Sequence, residues 1–407
     1  MPRALGWVFA AGVASVHAAD GEFSAVARTV PETHALRGDG PFREAASLTD
    51  FGRDRVRGEV EARAKVRAVT FVGTARALAI EGREPRYEGL LNELYADVSP
   101  FGQSFSLGKK IAGWGVGFGF RPLDVVQQQD RRQLVQFTLE GIPAVTWEHF
   151  DATAAWAVVY ANPTAGRAGA SRDDESLAAR WFRQDGATDW HGVARWSART
   201  RAQVGVGVNH VVDDAMQWYA SALLTQRHGR QVNALAGANV ALAPANPLEE
   251  VQYGTAWQVA AGGTWTGASG FGVLAEVWFD GTAYTPGQWR DVAALARRQA
   301  ALLGVPGVPD AAVRGNLAWS LRYFERPNVA RENVLLRWSY DGDPWDAAFD
   351  VLATPRDRGA VLTASLSRQF DRARLEAGVR RYAGPPESAY ALLPDRFVAY
   401  LAGQLFF

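Results

Sequence analysis

Charged residues occupy every second position in the segment RVRGEVEARAKVRAV, residues 55–69. Only Val, Gly and Ala stand between them. In a helix, residues two apart lie about 200° apart around the axis, so the charges would surround it and leave no apolar stripe to bury. In a strand the same spacing puts every charge on one face. The segment therefore predicts a long β-strand whose charged face consists of Arg55, Arg57, Glu59, Glu61, Arg63, Lys65 and Arg67.

The same period of two recurs along most of the chain. The repeating segments are about ten residues long and are separated by short turn-forming sequences, which is typical of membrane-spanning antiparallel strands. The pattern predicts an all-β fold, a transmembrane antiparallel β-barrel of about 18 strands, with 16 as the alternative count. The predicted strands begin near residues 54, 86, 102, 144, 153, 175, 188, 202, 216, 231, 253, 269, 317, 331, 345, 359, 373 and 397.

The apolar faces decide which side of the sheet meets water. They are mostly Ala, Val and Leu, whereas a soluble sandwich of this size would pack Ile, Leu and Val densely into a core. Aromatic residues gather near strand ends, as expected of girdles at the membrane interfaces. We therefore expect the apolar faces to meet lipid and the charged faces to line an aqueous interior. The girdle candidates include Trp190, Trp218, Trp319, Trp338, Tyr340 and Trp345.

Composition agrees with an exported β-protein. The chain has 41 Gly, 15 Trp and no Cys, a profile that suits a turn-rich all-β protein better than a helical cytosolic enzyme. Its formal net charge is zero, so the chain as a whole lacks the excess positive charge that is typical of nucleic-acid-binding proteins.

The N-terminal region predicts export. Arg3, an apolar run over residues 4–16 and small residues at Ala18 and Ala19 form a secretory signal peptide, residues 1–19. The run is shorter than the ~20 residues that a membrane anchor needs. We expect residues 20–50 to form a loose periplasmic N-terminal segment and residues 51–407 to form the barrel.

The last residues, RFVAYLAGQLFF, alternate apolar side chains on one face and finish at Phe407. This pattern resembles the assembly signal of Gram-negative outer-membrane β-barrels. The resemblance covers essentially the whole chain after the signal peptide. It implies a location in the outer membrane, contact with outer-membrane lipid and lipopolysaccharide, and insertion by the barrel-assembly machinery.

A second, shorter stretch, SLGKKIAGWGVGFGFRPLDVV, resembles a stretch of porin-like families related to alginate and exopolysaccharide exporters. The matching residues are Lys109, Trp114, Gly115, Pro122 and Asp124. The match supports the porin-like class of protein and does not indicate a substrate. An exporter would also work with periplasmic export machinery.

Glycine occupies alternate positions from Gly113 to Gly119. A phosphate-binding loop is excluded because Arg121 and Pro122 interrupt any following helix. A backbone that passes close to a barrel wall needs small residues. We predict an infolded loop over about residues 111–132 that narrows the pore, with a surface loop as the alternative. Its constriction residues would be Lys109, Lys110, Trp114, Arg121 and Asp124.

Arginines dominate the predicted inner face. In a confined channel this excess would concentrate anionic solutes. Alternatively, Arg and Glu pair across strands and merely stiffen the interior. The acidic neighbours include Glu93, Asp97, Glu276, Asp350 and Glu376. Beyond the strand at 55–67, the predicted pore-lining residues are Arg195, Arg199, Arg201, Arg322, Arg337, Arg372, Arg374 and Arg380.

One segment has helical spacing, residues 286–304, with Pro286 near its start and Gly304 near its end. Counting strands back from a periplasmic C-terminus places this helix on the periplasmic side, unless the count is wrong by one strand.

These features predict a porin-like channel for polar, anionic solutes. The alternatives are an exporter of a secreted polysaccharide and, from another class, an enzyme active at the barrel rim. His210 lies close to Asp213 and Asp214, but two aspartates in a turn are the commoner reason for such a sequence. We predict no catalytic residue, metal or cofactor, because the chain has no nucleophile elbow, zinc-protease motif or cysteine cluster.

Overall fold

The computed structural model describes residues 21–129, 134–135, 138–162 and 175–407. The predicted signal peptide, residues 1–19, lies outside this range. The strands are β1 Gly21–Leu36, β2 Arg55–Val66, β3 Val69–Ile80, β4 Arg86–Val98, β5 Ser104–Lys110, β6 Ile142–Phe150, β7 Ala154–Ala161, β8 Ser176–Asp185, β9 Thr188–Ser197, β10 Arg201–Val211, β11 Met216–Thr225, β12 His228–Asn233, β13 Leu248–Tyr253, β14 Ala256–Thr266, β15 Phe271–Asp280, β16 Glu332–Asp341, β17 Asp346–Thr354, β18 Gly359–Gln369, β19 Ala373–Ala383 and β20 Asp395–Phe406. The helices are α1 Pro286–Ala300, α2 Asp310–Ser320 and α3 Ala389–Leu392.

Eighteen strands form one closed antiparallel barrel, which confirms the predicted fold class. Each strand pairs with the next along the chain, β11 pairs with β14, and β1 pairs with β20 to close the sheet. Strands β12 and β13 form a separate hairpin.

The two ends of the barrel differ in their connections. At the end that holds Gly21 and Phe406, no turn is longer than the five residues 99–103, and we call this the short-turn end. The opposite, long-loop end carries residues 111–141, 226–255 and 281–331. In outer-membrane barrels short turns face the periplasm and long loops face outward.

Side chains alternate between the two faces as the sequence predicts. On β10, Val204 and Val206 point outward and are 58% and 63% exposed, while Gln203 points inward and is buried. On the adjacent β9, Arg195 is buried on the inner face and Trp196 is exposed on the outer face. The outer surface is therefore apolar and the inner surface carries the polar groups.

Loops at the long-loop end pack into an apolar unit that we call the outer cap, formed by residues 37–54, 226–255, 281–331 and 384–394. Its core joins side chains from all these loops except 226–255, whose Leu242 and Leu248 pack against it. Helix α1 begins at a capping box, in which Thr285 and Gln288 bond each other's backbone N–H. The buried core residues include Phe42, Trp289, Leu317, Tyr323, Phe324 and Tyr390.

Several predictions of individual elements were wrong. Residues 21–36 do not belong to a loose periplasmic segment, because they form β1 and pair with both β2 and β20. The outward side chains of β1 are small or weakly polar, such as Ala27, Thr29 and Thr33, so the strand shows little contrast in hydrophobicity. Strand β3 was also missed, because its inner face bears Thr70, Val72 and Thr74, and Arg76 is its one charged residue.

Two predicted strands are not part of the barrel. The strand near residue 231 is β12 of the separate hairpin. The strand near residue 317 is helix α2, followed by a 3-10 turn over Leu321–Glu325. In this segment Val313, Leu317 and Leu321 recur every four residues and are buried, so the helical period determined the structure.

Helix α1 lies at the long-loop end. The periplasmic placement predicted for residues 286–304 was therefore wrong, because the strand count differed by one. Between α1 and the C-terminus the strand count included one strand too many, the false strand at 317, and this reversed the assigned side.

Acid is expected to loosen the β12–β13 hairpin. Burial lowers the pKa of His228, and the nearby Arg230 and Arg326 lower it further, while the Gly254 carbonyl and Asp280 act in the opposite direction. The folded hairpin thus prefers neutral His228, so its stability is complete above about pH 6.5 and decreases as the pH falls below that value.

Hydrogen exchange at residues 228–233, corrected for intrinsic rates, at about pH 7.5 and about pH 5 measures this effect. Protection should decrease at the lower pH in the native chain and change less in His228→Gln. An equal change in both proteins would contradict the prediction.

Candidate pore constriction

The connection between β5 and β6 enters the barrel and contacts its inner wall at several places. Residues 118–120 bond Glu276 on β15, and Leu123 packs among residues of β7, β8, β9 and β11. Farther along, Thr138 bonds Glu59 and Glu61 on β2. The described part of this segment therefore crosses the lumen.

A buried carboxylate holds the middle of the loop. Glu276 is 1% exposed and accepts the backbone N–H groups of Phe118 at 2.7 Å, Gly119 at 3.0 Å and Phe120 at 2.9 Å. The hydroxyl of Tyr219 on β11, two strands away across β14, also donates to Glu276. Four donors on one carboxylate make a strong anchor, since hydrogen bonds to charged groups exceed neutral ones in strength.

The glycine pattern follows from this anchor. Gly117 has a φ of +123°, which L side chains rarely adopt. A Cβ on Gly119 would lie 3.0 Å from Leu335, 3.1 Å from Trp278 and 3.2 Å from the Glu276 carboxylate. Glycine therefore lets the backbone approach the wall closely enough for its N–H groups to reach Glu276.

Asp124 performs a similar role within the loop. Its Oδ1 accepts the N–H of Trp114 at 2.6 Å and the N–H of Gly115 at 2.5 Å. Arg121 donates from Nε to the Gly117 carbonyl at 2.8 Å. Lys109 contacts Glu140 at the point where the loop returns to β6. The residues predicted for a constriction thus lie in or next to the loop inside the barrel.

One half of the lumen is filled by this loop. Leu123, Val125 and Val126 pack against buried apolar residues of β6 to β9 and β11. A Cβ on Gly205 or Gly207 of β10 would lie 2.6 or 2.8 Å from the Leu123 side chain, so small residues make room for the loop. Around Leu123 this inner surface is apolar, whereas the sequence predicts charged residues along the inner faces.

The other half contains an open cavity of about 840 Å³. It lies between the loop, the outer cap and the inner faces of β2 and β15 to β20. Five arginines and four carboxylates line it, together with aromatic side chains of the loop and the cap. The charged lining residues are Arg55, Arg121, Arg337, Arg374, Arg380, Asp124, Glu325, Asp350 and Glu376.

Most of these arginines are held by partners on the wall. Arg337 bonds both oxygens of Asp350 at 3.1 Å, and its guanidinium lies 5.3 Å from the Phe118 ring. Arg374 contacts Glu376 at 3.4 Å, and Arg380 donates to Thr363 at 3.0 Å. These contacts fix the positions of the guanidinium groups in the cavity wall.

The charges of β2 form a network with β1 and with Arg76 of β3, which lies 3.5 Å from Glu59. Glu32 on β1 accepts Arg55 at 2.5 Å and Arg57 at 3.1 Å. Arg28 bonds Glu59 at 2.9 Å and Glu61 at 2.8 Å. Arg28 and Glu32 were missed as site residues because β1 was not recognised as a strand. The polar residues Arg28, Glu32 and His34 all lie at even positions, and this spacing is the signal that could have identified the strand.

The other predicted pore-lining residues are more dispersed. Arg195 is buried and bonds Thr200 and Gln203, and Arg63 lies 3.8 Å from Glu93. Lys65 is exposed near the short-turn end. Five further arginines were predicted on strand faces, and the structure places them at strand ends or in turns. Arg201 begins β10 at positive φ, Arg322 lies in the 3-10 turn of the outer cap, and turns between strands contain Arg67, Arg199 and Arg372.

Comparisons with known proteins support the architecture. No family model matches the sequence, and no curated protein is detectably similar. Among solved structures, OccK5 (OpdH) of Pseudomonas aeruginosa matches with a TM-score of 0.55 and 10% identity, over 96% of this chain and 98% of that one. OccAB1 of Acinetobacter baumannii gives 0.54 and 11%, over 95% and 96%.

The chain has the fold of an outer-membrane porin. A mutant of the Rhodobacter blastica porin is also similar, with a TM-score of 0.45 and 12% identity over 95% of this chain and all of that one. At these identities the likeness concerns the porin fold alone.

His210 and Asp213 each have partners in the folded chain. His210 bonds Thr188 and lies beside Trp218, while Asp213 accepts the N–H groups of Ala215 and Met216 within a turn. No metal-binding group of His, Asp and Glu occurs in the described ranges. Among the described helices, none is long and apolar enough to cross a membrane.

Proposed function

We propose that this protein is an outer-membrane channel that passes small polar solutes and favours anions. The observation that carries the proposal is the cavity beside the infolded loop, where five arginines meet four carboxylates. One of the four, Asp124, already accepts two backbone N–H groups of the loop. The remaining lining is more positive than negative, which favours anions in a confined aqueous space.

The proposed path runs along this cavity. A solute from outside passes the outer cap, where Glu325 and Asn328 line the cavity. It then moves between loop residues 118–121 and the wall arginines of β16 and β19. The opposite half of the lumen is filled by Leu123 and its neighbours, so the arginine wall borders the route. The anionic group of a solute can bind one fixed guanidinium group and then move to the next.

The reversal potential of single channels in a planar bilayer under a salt gradient tests the proposal. We expect a reversal potential of the sign that an anion-selective pore gives. In the double variant Arg374→Gln/Arg380→Gln this potential should shift toward zero, since two positive charges leave the cavity. The double variant Arg183→Gln/Arg356→Gln, which removes two exposed arginines elsewhere, should keep the native value.

A cation-selective native pore would contradict the anionic preference. An absence of conductance would favour a plugged barrel or the rim-active enzyme. The polysaccharide exporter remains an alternative for which the described residues provide no specific observation. The exporter predicts that a long acidic or neutral glycan blocks the current for long intervals. In a small-solute channel the same glycan should leave the current unchanged.

A further inference from the structure

Three arginines meet on the outer surface of the barrel where it closes, at the long-loop end. Arg381 lies on β19 between Arg380 and Tyr382, which both line the cavity, so it points to the opposite, outer side. Arg396 is exposed where the register between β1 and β20 shifts. Arg37 directly follows β1 and donates from Nη2 to the Tyr382 carbonyl at 3.0 Å. We call this group the rim arginines.

The positive charges of the rim arginines are poorly compensated. Within the described residues, none of the three forms an ion pair with a carboxylate, and the Nε of Arg37 is buried without a hydrogen-bond partner. Burial lowers the pKa of Arg37, and repulsion from Arg396 and Arg381 lowers it further, while Asp39 opposes this effect. Like charges held together in this way are stabilised by an anion.

The surroundings indicate what kind of anion this is. Next to Arg381 the outer surface is apolar and mostly small, with Ala35, Ala383 and Phe397. At other outer positions of this end the side chains are aromatic, as in Trp196 and Trp257. An outer glutamate there, Glu332, is matched by Arg356 at 3.3 Å. A positive site directly above an apolar surface suits a phosphate group that is joined to acyl chains.

We propose that the rim arginines bind a phosphate group of an outer-leaflet glycolipid, whose acyl chains lie along the small side chains of β19, β20 and β1. The site is on the outside of the barrel and takes no part in the proposed transport. It places one lipid against the seam between the first and last strands.

Native mass spectrometry of the delipidated protein in detergent tests this site. The probe is lipid A, the bisphosphorylated glucosamine anchor of lipopolysaccharide, titrated against Arg381→Gln/Arg396→Gln. We expect the double variant to bind lipid A roughly 10-fold or more weakly than the native chain, since each arginine near an anionic lipid contributes to binding. The control double variant Arg183→Gln/Arg356→Gln should bind like the native chain.

Two further arms identify the source of the phosphate. Lipid A from which the phosphates have been removed should bind as weakly to the native chain as lipid A does to the double variant. Inorganic phosphate should not displace lipid A at equal concentration, because it lacks the acyl contacts. Equal binding by the two double variants, no loss on dephosphorylation, or displacement by inorganic phosphate would each overturn the proposal. Unchanged conductance of Arg381→Gln/Arg396→Gln keeps this result separate from the proposed channel function.

Discussion

Replacing Glu276 with Ala is expected to release the infolded loop and make the channel current unsteady. The substitution removes the acceptor of three backbone N–H groups and of the Tyr219 hydroxyl. Each hydrogen bond to a charged acceptor contributes about 1.5 to 3 kcal/mol, so the loop loses several kcal/mol of anchoring. Residues 118–120 line the cavity, and their movement should produce excess open-channel noise and several conductance levels in planar bilayers.

A graded series makes this prediction specific. Tyr219→Phe removes one donor and leaves the three backbone bonds, so its noise should be smallest. Glu276→Gln is nearly isosteric, but its amide NH₂ would face N–H donors, so it should approach Glu276→Ala. Hydrogen exchange at residues 118–120 should increase in the same order. Native-like current and exchange in Glu276→Ala would show that other contacts hold the loop.

The sequence predicted the barrel because its charges mark one face so clearly. The strand at residues 55–66 alternates without exception, and the sheet uses it as predicted. The predicted number of strands agrees with the structure because two errors cancel two others. Strands β1 and β3 were missed, and the hairpin strand near 231 and helix α2 were counted in their place.

These errors have a common physical cause. Alternation of polarity reports a strand only when one face meets lipid and the other meets water. Apart from Arg76, the inner face of β3 carries Thr70, Val72 and Thr74, so it lacks the row of charges that identifies β2. In α2, periods of two and of four residues are both present, and only the buried core of the outer cap selects the helical one.

The candidate site could be predicted in part. The alternating glycines favoured an infolded loop, and the structure places this segment inside the barrel. Its partner could not be found from sequence, because Glu276 lies more than 150 residues away along the chain. The sequence also did not predict that one half of the lumen is filled by the loop and the other is open. Gly205 and Gly207 resemble ordinary strand glycines until Leu123 is seen to pack on them.

The infolded loop contacts the barrel wall next to the seam where β1 pairs with β20. Thr138 ties the returning loop to Glu59 and Glu61 of β2, and β2 is paired with β1 at the seam. Leu134 and Val135 pack against Val30 of β1 and Tyr400 of β20. The polar network of β1 and β2 therefore contacts both the seam and one end of the infolded loop.

Replacing Glu32 with Ala should weaken this seam more than the loss of an ordinary surface charge. The Glu32 side chain is 3% exposed and contacts Arg55, Arg57 and the His34 ring, while His34 also bonds Asp395 of β20 at 2.9 Å. Removing the carboxylate takes away the acceptor that Arg55, Arg57 and His34 share, and breaking a buried ion pair in this way costs about 3 to 5 kcal/mol. The temperature at which the folded, fast-migrating form disappears in detergent gels should therefore fall.

Glu22 provides the matched control, because it lies on the same strand at its exposed start, where register pairs it with Lys65. Exposed ion pairs contribute little, about 0 to 1 kcal/mol, so Glu22→Ala should melt close to the native temperature. Glu32→Gln should fall between the two, since it keeps hydrogen-bonding atoms and loses the charge. If Glu32→Ala and Glu22→Ala have the same melting temperature, the prediction is contradicted. The backbone hydrogen bonds between β1 and β20 would then hold the seam without the Glu32 ion pairs.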